Sequence, residues 1–423
     1  MLSEAKTAMF GLQPEFPFDN AILDQITSQF TTPIYVYNER TIQLRANYLK
    51  NLFSELPVKW LYAMKANDNP HILKIFADMG FGFDTVSFEE ATLANKLIEA
   101  SKIFYTENNM SDVEMNEAME ANIVLNIGSF SRLKKFAEAG GKSCSIRLVP
   151  EIGDGLHQRV TTGHKESKFG IDIALIDEII ALENRTKLRI EGVHMHIGSG
   201  IRKPENMINA MKRLVEMAKD FRYLTFINFG GGFPIAYHEG EHGFDIAAFG
   251  EEARAFMKED LKNRPKGFNY LFEPGRWLVA QSGCLLTKVT AVKQAGKITY
   301  LGTDTGFNHL ARPVLYDAEH RVISLKKLSQ SPSSLHSYTV AGNICESSDI
   351  LAKNVSLPET VEGDIIALAD AGAYGMTMAS IYNRRLFPNE VLITADNKVK
   401  QIRKIPSVEE HINAFLKETL FEL

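Results

Sequence analysis

The feature that most restricts this chain is a rhythm. Apolar runs that read as strands begin near Trp60, Gly82, Ile103, Ile123 and Ser145, about 20 residues apart, with a segment of helical period between most pairs. Three more follow at wider spacing, near Gly192 (Gly-Val-His-Met-His-Ile), Leu224 (Leu-Thr-Phe-Ile-Asn-Phe) and Asn269 (Asn-Tyr-Leu-Phe-Glu-Pro). Strands alternating with helices make a parallel sheet. Eight such units over about 220 residues predict a (β/α)8 TIM-like barrel rather than an open doubly wound sheet.

Beyond Arg276 the texture changes. Residues 278–302, 320–340, 362–369 and 391–402 are rich in β-formers and broken by Gly, Pro, Asn and Ser turns, with little helical period before Val408 to Phe421. This predicts a C-terminal all-β domain, sandwich- or barrel-like. A helical pattern (Ala21 to Phe30) and a strand (Pro33 to Tyr37) open the chain, and that strand is expected to join the β domain. The expected division is therefore a barrel over 38–278 and a discontinuous β-rich domain over 1–37 and 279–423. The Ser-rich stretch Gln330 to Ser337 reads as an exposed loop, and polar Thr161 to Lys168 as a lid over the site.

Composition excludes several classes. With 423 residues, 45% of them hydrophobic, and a formal net charge of -5, the chain has ample core and no global basic field, so nucleic acid is not an expected partner. No stretch approaches the length of a membrane span. Cys144, Cys284 and Cys345 are too few and too scattered for a disulfide framework, which fits the cytoplasm.

In a parallel barrel the residues that follow the strands line the functional face. Here those are Lys65, then Asp84 with Ser87, then His196 to Ser199, then Gly230, Gly231 and Gly232, then Glu273 and Arg276. A lysine partly desolvated at a strand end can form an imine with a carbonyl, whereas most such lysines are surface charges. Three glycines let amides approach an anion without a Cβ in the way, or simply make a tight turn. Arg276 can clamp phosphate or carboxylate, or form a surface ion pair. Glu273 can keep a pyridine nitrogen protonated, or be structural. His194 and His196 alternate with Val193, Met195 and Ile197. His196 is the candidate to lie flat on an aromatic cofactor, and His194 is expected as a core histidine. No third ligand at metal spacing accompanies them, so no metal is expected.

At these residues the sequence resembles the fold-type III pyridoxal-phosphate decarboxylases, and within them the diaminopimelate decarboxylases, especially their enterobacterial branch. The markers are Tyr62-Ala-Met-Lys-Ala-Asn67, Phe83-Asp-Thr-Val-Ser87, Gly192 to Gly200, Gly230-Gly-Gly-Phe233, Glu273 to Gly283, Asn308 to Tyr316, Cys345-Glu-Ser347 and Asp370-Ala-Gly-Ala-Tyr-Gly375. They occur in order over nearly the whole chain. The resemblance implies pyridoxal 5'-phosphate held by Lys65, with His196 stacked on its ring and Glu273 on its ring nitrogen. It implies that Ser199, Gly230 to Gly232 and Tyr374 hold the phosphate, with Asp84, Gly275 and Arg276 also at the cofactor. Arg276, Arg312, Tyr316 and Tyr374 would meet the substrate. Cys345, as the acid that reprotonates Cα, and Glu346, for the distal ammonium, would come from the partner in a homodimer with shared active sites.

By the same resemblance the substrate is the amino acid meso-2,6-diaminopimelate, decarboxylated to L-lysine at the end of lysine biosynthesis. The chain departs from the family's Ser-Ser-Asn-Tyr-Asn at Ala379-Ser-Ile381-Tyr-Asn383, continues with Arg384-Arg385-Leu386, and has Asp349 after Ser348 where glycine is usual. These departures bear on the substrate more than on the reaction. The alternatives are a sister decarboxylase for ornithine, lysine, arginine, a modified diaminopimelate or a carboxylated polyamine, a racemase, and a non-catalytic pyridoxal-phosphate-binding protein. The last has no use for Cys345, Glu346 and a distal arginine.

Overall fold

The computed structural model describes residues 19–152, 167–237, 244–325 and 334–420. The expected lid therefore lies outside the described residues except for Ser167 and Lys168, as does the 330–333 part of the Ser-rich loop. The chain divides into one unit of Gln43–Ala236 with Glu241–Leu278 and another of Met1–Ile42, Tyr237–Gly240 and Val279–Leu423.

After strand β1 (Ile34–Asn38), the first of these units is a closed barrel of eight strands: β2 (Val58–Ala63), β3 (Gly82–Thr85), β4 (Ile103–Thr106), β5 (Val124–Ile127), β6 (Ser143–Arg147), β7 (Arg189–His194), β8 (Phe226–Asn228) and β9 (Asn269–Phe272). Every neighbour is parallel, and β9 closes on β2 through Val58 and Tyr270. All eight strand candidates of the sequence are barrel strands. Five of the described helices that return the chain start on polar caps: Asn69, Ser87, Ser111, Ser129 and Asp245 each accept a hydrogen bond from the first turn. Ser87, counted above among the site candidates, is engaged in this capping, where its Oγ accepts from Glu90 N–H at 3.1 Å.

A strand's period of two builds the barrel interior in layers. Leu61, Phe104 and Leu271 form a buried apolar cluster with Val124 and Phe226 packed against it. Gly82 and Gly192 leave room for it, since a Cβ on Gly192 would lie 2.1 Å from the Phe226 ring and one on Gly82 2.7 Å from Leu61. Two residues further along the same strands stand Asp84, Thr106, Asn126, His194, Asn228 and Glu273, all buried and all polar. An apolar floor thus carries a polar layer toward the strands' C-terminal ends.

The other unit is a mixed sheet. Its strands are β1, β10 (Gly283–Ala295), β11 (Ile298–Thr303), β12 (Val322–Ser324), β13 (His336–Ala341), β14 (Ile350–Leu357), β15 (Ile365–Leu368), β16 (Asn389–Ile393) and β17 (Val399–Arg403). The main path runs β14-β13-β11-β10-β1-β16-β17, with β15 on β10 and β12 on β15. β1 lies between β10 and β16, antiparallel to the first and parallel to the second. The long β10 pairs with β15 through Leu285 to Lys288 and with β11 from Val289 onward, with a register shift between Val289 and Ala291. Helix Asn20–Gln29 sets Leu23 and Ile26 into a core with Ile34, Val36, Cys284, Leu286 and Val391.

Because the floor supports the polar layer, Phe104→Ala is expected to cost about 3–5 kcal/mol, the usual range for emptying a buried aromatic site. Urea unfolding measures it, and a loss below about 1 kcal/mol would contradict the layered account.

Candidate active site

Lys65 leaves β2 on a short 3-10 turn, Met64–Ala66. Its Nζ lies 2.8 Å from Asp84 Oδ2, with the lysine side chain 36% exposed and the aspartate fully enclosed. The pairing of β2 with β3 sets Ala63 beside Asp84 and so delivers the amine to that carboxylate. Burial pushes the Asp84 carboxyl up to about 6, the charge of Glu273 adds to the push, and the Lys65 ammonium opposes it. Asp84 Oδ1 is buried with no hydrogen-bond partner among the described residues.

Glu273 is the first residue past β9. Its Oε1 accepts from Asn228 Nδ2 at 2.6 Å, and its Oε2 lies 3.2 Å from His194 Nε2. Burial raises this carboxyl too, against the pull of Lys65, Asn228 and Arg147. His194 is in the core, as expected, yet it faces this carboxylate, and its Nδ1 is buried without a partner among the described residues. Arg147, which no motif in the sequence singles out, closes β6. Its Nη2 donates to the His196 carbonyl at 3.3 Å, and its guanidinium stacks on Phe169 at 4.6 Å. Burial pulls it down to about 10, still a cation at neutral pH. Two carboxylates, Asp84 and Glu273, thus share the barrel end with two cations, Lys65 and Arg147.

His196 lies beyond the end of β7, in the loop. Its Nδ1 accepts the Gly231 N–H at 3.3 Å, which leaves the ring proton on Nε2. Burial, and then the charge of Arg147, hold both His194 and His196 well below the ordinary imidazole range, so both rings are neutral near pH 7.

The glycine triplet answers to packing. A Cβ on Gly230 would lie 2.3 Å from the Met195 carbonyl oxygen, on Gly231 2.1 Å from that of Glu273, and on Gly232 2.3 Å from that of Gly198. Gly230 donates its N–H to Asn228 Oδ1 at 2.9 Å, so the first two amides of the expected anion nest are engaged within the barrel. Gly275 packs against Ala63 and Ala66, where a Cβ would come within 3.1 Å of each methyl. Arg276 Nη2 donates to Ser199 Oγ at 2.9 Å, joining two of the residues expected at the site.

The remaining candidates belong to the β unit. Arg312 and Tyr316 are one turn apart on helix Arg312–Tyr316. The buried Arg312 guanidinium meets His320 Nε2 at 2.9 Å and stacks on Tyr237 at 4.5 Å, while His320 Nδ1 reaches the Ala369 carbonyl at 2.9 Å. Those two contacts fix the His320 proton on Nδ1. Tyr374 is half-buried with a left-handed φ of 57°. Cys345 and Glu346 are exposed on the loop between β13 and β14. Among the described residues no group of three or more His, Cys, Asp or Glu is arranged to hold a metal ion, and no helix is long and apolar enough to cross a membrane.

Comparison with known proteins adds to this geometry. Residues 39–280 match the family model described as pyridoxal-dependent decarboxylase, pyridoxal binding domain. The chain is 34% identical to the diaminopimelate decarboxylase of Methanothermobacter thermautotrophicus, over 90% of each chain. It is 31% identical to that of Escherichia coli K12, over 95% of this chain and 98% of the other. Among solved structures, diaminopimelate decarboxylase from Helicobacter pylori complexed with L-lysine superposes with a TM-score of 0.84 at 31% identity, covering 94% of this chain and all of that one.

The two neutral histidines make stability depend on pH. Because their folded pKa values lie below that of a free imidazole near 6.5, the unfolded chain takes up protons first as pH falls. The stability they contribute is complete above about pH 6.5 and is lost below it, by up to about 1.4 kcal/mol per pH unit for each ring. Asp84, raised to about 6 in the folded chain, acts in the opposite sense between about pH 4 and 6. His194→Gln is expected to flatten the dependence between about pH 7 and 5.5 by one proton's worth in urea unfolding, and an unchanged slope would contradict the assignment.

Proposed function

The chain belongs to the diaminopimelate decarboxylase family of pyridoxal-phosphate-dependent decarboxylases, and on that premise we propose that it converts meso-2,6-diaminopimelate to L-lysine and CO2, the last step of lysine biosynthesis. The observation that carries the reading is the Lys65 amine, held 2.8 Å from a buried aspartate in the field of a second buried carboxylate, at the C-terminal end of the barrel.

Pyridoxal phosphate makes three demands: an amine for its aldehyde, an anion for its ring nitrogen, and donors for its phosphate. Lys65 suits the first. The buried Glu273 suits the second, because a cation against it would relieve the burial that pushes its carboxyl up. Ser199, the Gly230 to Gly232 loop, Gly275, Arg276 and Tyr374 are assigned to the third, with Gly232 carrying more of the anion than Gly230 or Gly231, whose amides are engaged. When bound, the group supplies an electron sink for the pair released as the Cα–CO2 bond breaks.

The protein's own residues do the rest. Lys65 would hold the cofactor through its side-chain amine. Asp84 would pair with the lysine ammonium whenever the amine is not engaged by the cofactor, and so orient its Nζ. His196, kept neutral by burial, offers a flat uncharged ring to stack on without competing for the carboxylates. Glu273, fixed by Asn228 and His194, keeps the proton on the ring nitrogen. Arg312 and Tyr316, with Arg276, take the distal carboxylate; Cys345 delivers the proton to Cα; and Glu346 takes the distal ammonium. Cys345 and Glu346 stand exposed on one loop, which supports a homodimer in which each site draws them from the second copy. Three cysteines, none of them disulfide-bonded, support a cytoplasmic setting.

The substrate choice rests on Arg312. Ornithine, lysine and arginine lack a second carboxylate and would forgo the ion pair proposed to it, a loss of about 1–3 kcal/mol, or about 5- to 150-fold. The test offers pyridoxal-phosphate-loaded enzyme meso-diaminopimelate, D-ornithine, L-ornithine, D-lysine and L-arginine in parallel, reading CO2 and product, with Lys65→Ala as the blank. Turnover of meso-diaminopimelate alone is expected, with L-lysine as product and no CO2 from Lys65→Ala. Turnover of only another amino acid would overturn the substrate, and CO2 from none would overturn the reaction.

A further inference from the structure

We propose that residues 382–385 form a positioning clamp that sets the direction of the Cys345 thiol and the Glu346 carboxylate. The inference rests on the function proposed above for those two groups, and none of the four clamp residues is itself assigned a contact with substrate or cofactor.

The loop that bears the thiol is gripped from two sides. From within, the buried Asp349 accepts the Phe307 N–H on Oδ1 and the Ile344 N–H on Oδ2, each at 2.7 Å, and its backbone carbonyl accepts Gly342 N–H at 2.9 Å. Gly342 has to be glycine there, since a Cβ would lie 2.2 Å from the Asp349 carboxylate. From the other side come three contacts from one short segment. Tyr382 OH donates to Glu346 Oε1 at 2.7 Å, Asn383 Oδ1 accepts the Cys345 N–H at 2.8 Å, and Arg385 Nη2 donates to the Asn343 carbonyl at 3.3 Å. A donor, an acceptor and a cation from within four residues thus meet Glu346, Cys345 and Asn343.

The backbone of the clamp is itself unusual. Asn383 and Arg384 are both left-handed, with φ of 54° and 58°. Asparagine tolerates that region, but arginine seldom enters it, and two such residues in succession persist only where surrounding contacts hold them. Those contacts are visible. The Arg384 guanidinium stacks 3.5 Å above the Phe415 ring of the C-terminal helix, the Tyr382 ring packs 6.0 Å from that of Phe307, and Ser380 N–H is tied to the Asn308 carbonyl at 2.7 Å. The left-handed turn at Asn383 brings its amide oxygen to the Cys345 amide. Arg384, one of the positions where this chain leaves the family pattern, therefore anchors one side of the grip, and Asp349, which follows Ser348, anchors the other. The departure at Arg384 acts on the aim of the acid and of the ammonium-binding carboxylate, and so on catalysis and on substrate fit separately.

The separation makes the proposal testable. Asn383→Gly keeps the left-handed turn and removes only the acceptor, while Asn383→Asp keeps both. In the pyridoxal-phosphate-loaded enzyme acting on meso-diaminopimelate, Asn383→Gly is expected to lower kcat about tenfold or more with KM within about threefold, and Asn383→Asp to return kcat to within about threefold of the parent. Tyr382→Phe, which frees Glu346, is expected to raise KM about fivefold with kcat within about threefold. A second readout needs no turnover: iodoacetamide reaches the exposed Cys345 in preference to the buried Cys144 and Cys284. Its rate at Cys345, followed by peptide mapping, is expected to change more than about threefold in Asn383→Gly. A parent enzyme that releases no CO2 would defeat the function proposed above, and the alkylation rate alone would then decide the clamp. An Asn383→Gly variant with parental kcat and parental alkylation rate, or an Asp variant as impaired as the Gly variant, would overturn the clamp itself.

Discussion

The site depends on the way charge is buried in the barrel. Asp84 and Glu273 are enclosed, burial raises both carboxyls, and the charge of Glu273 adds to the push on Asp84. Two isolated carboxylates in such a place would take up protons rather than stay charged. Lys65 and Arg147 oppose that tendency from the loop beyond β2 and the end of β6, and Asn228 and His194 supply neutral hydrogen-bonding partners. The result is a near-neutral box of four ionisable groups with one amine left 36% exposed. A chain built only for stability would fill this volume more cheaply with apolar side chains. Asp84 Oδ1 and His194 Nδ1, buried without hydrogen-bond partners among the described residues, point the same way, since such atoms are costly in a protein that has nothing to put against them.

The barrel is legible in the sequence because its rhythm is long-range and redundant. Eight apolar runs at strand spacing admit few architectures, and an error of a few residues at any strand end leaves the count intact. The polar layer is only partly legible. Lys65, His196 and Glu273 follow their strands and so stand out, whereas Asn228 and Arg147 lie inside runs that read as apolar, Leu224 to Phe229 and the segment from Ser145. The signal is present in the period of two: Phe104 to Thr106, Val124 to Asn126, Phe226 to Asn228 and Leu271 to Glu273 each step from the apolar floor to the polar layer. The same period misleads at His196. Alternation with Val193, Met195 and Ile197 suggests one continuous strand, but the strand ends at His194, and the loop turns His196 to the Gly231 amide.

The β unit is harder to read. β14 escapes the pattern, because Lys353, Asn354 and Ser356 interrupt its alternation, and Asn354 itself takes a left-handed φ of 53°. His320 gives no local sign of its tie to Arg312, a contact made across a connection between two elements. Tyr382 and Asn383 stand out in the sequence only as the matching end of a stretch that departs from the family pattern at Ala379 and Ile381. Their contacts with Glu346 and Cys345 join segments more than thirty residues apart. Such pairings are set by sheet topology, which periodicity does not encode.

The most direct test of the account is chemical. Borohydride reduction of the pyridoxal-phosphate-loaded protein, followed by digestion and mass mapping, identifies the lysine that holds the cofactor. The account predicts one phosphopyridoxyl group per chain, on the peptide containing Lys65, and its loss in Lys65→Ala. A label on another lysine, or none on a protein that retains the cofactor, would contradict the claim that the buried charges of the barrel exist to hold that amine.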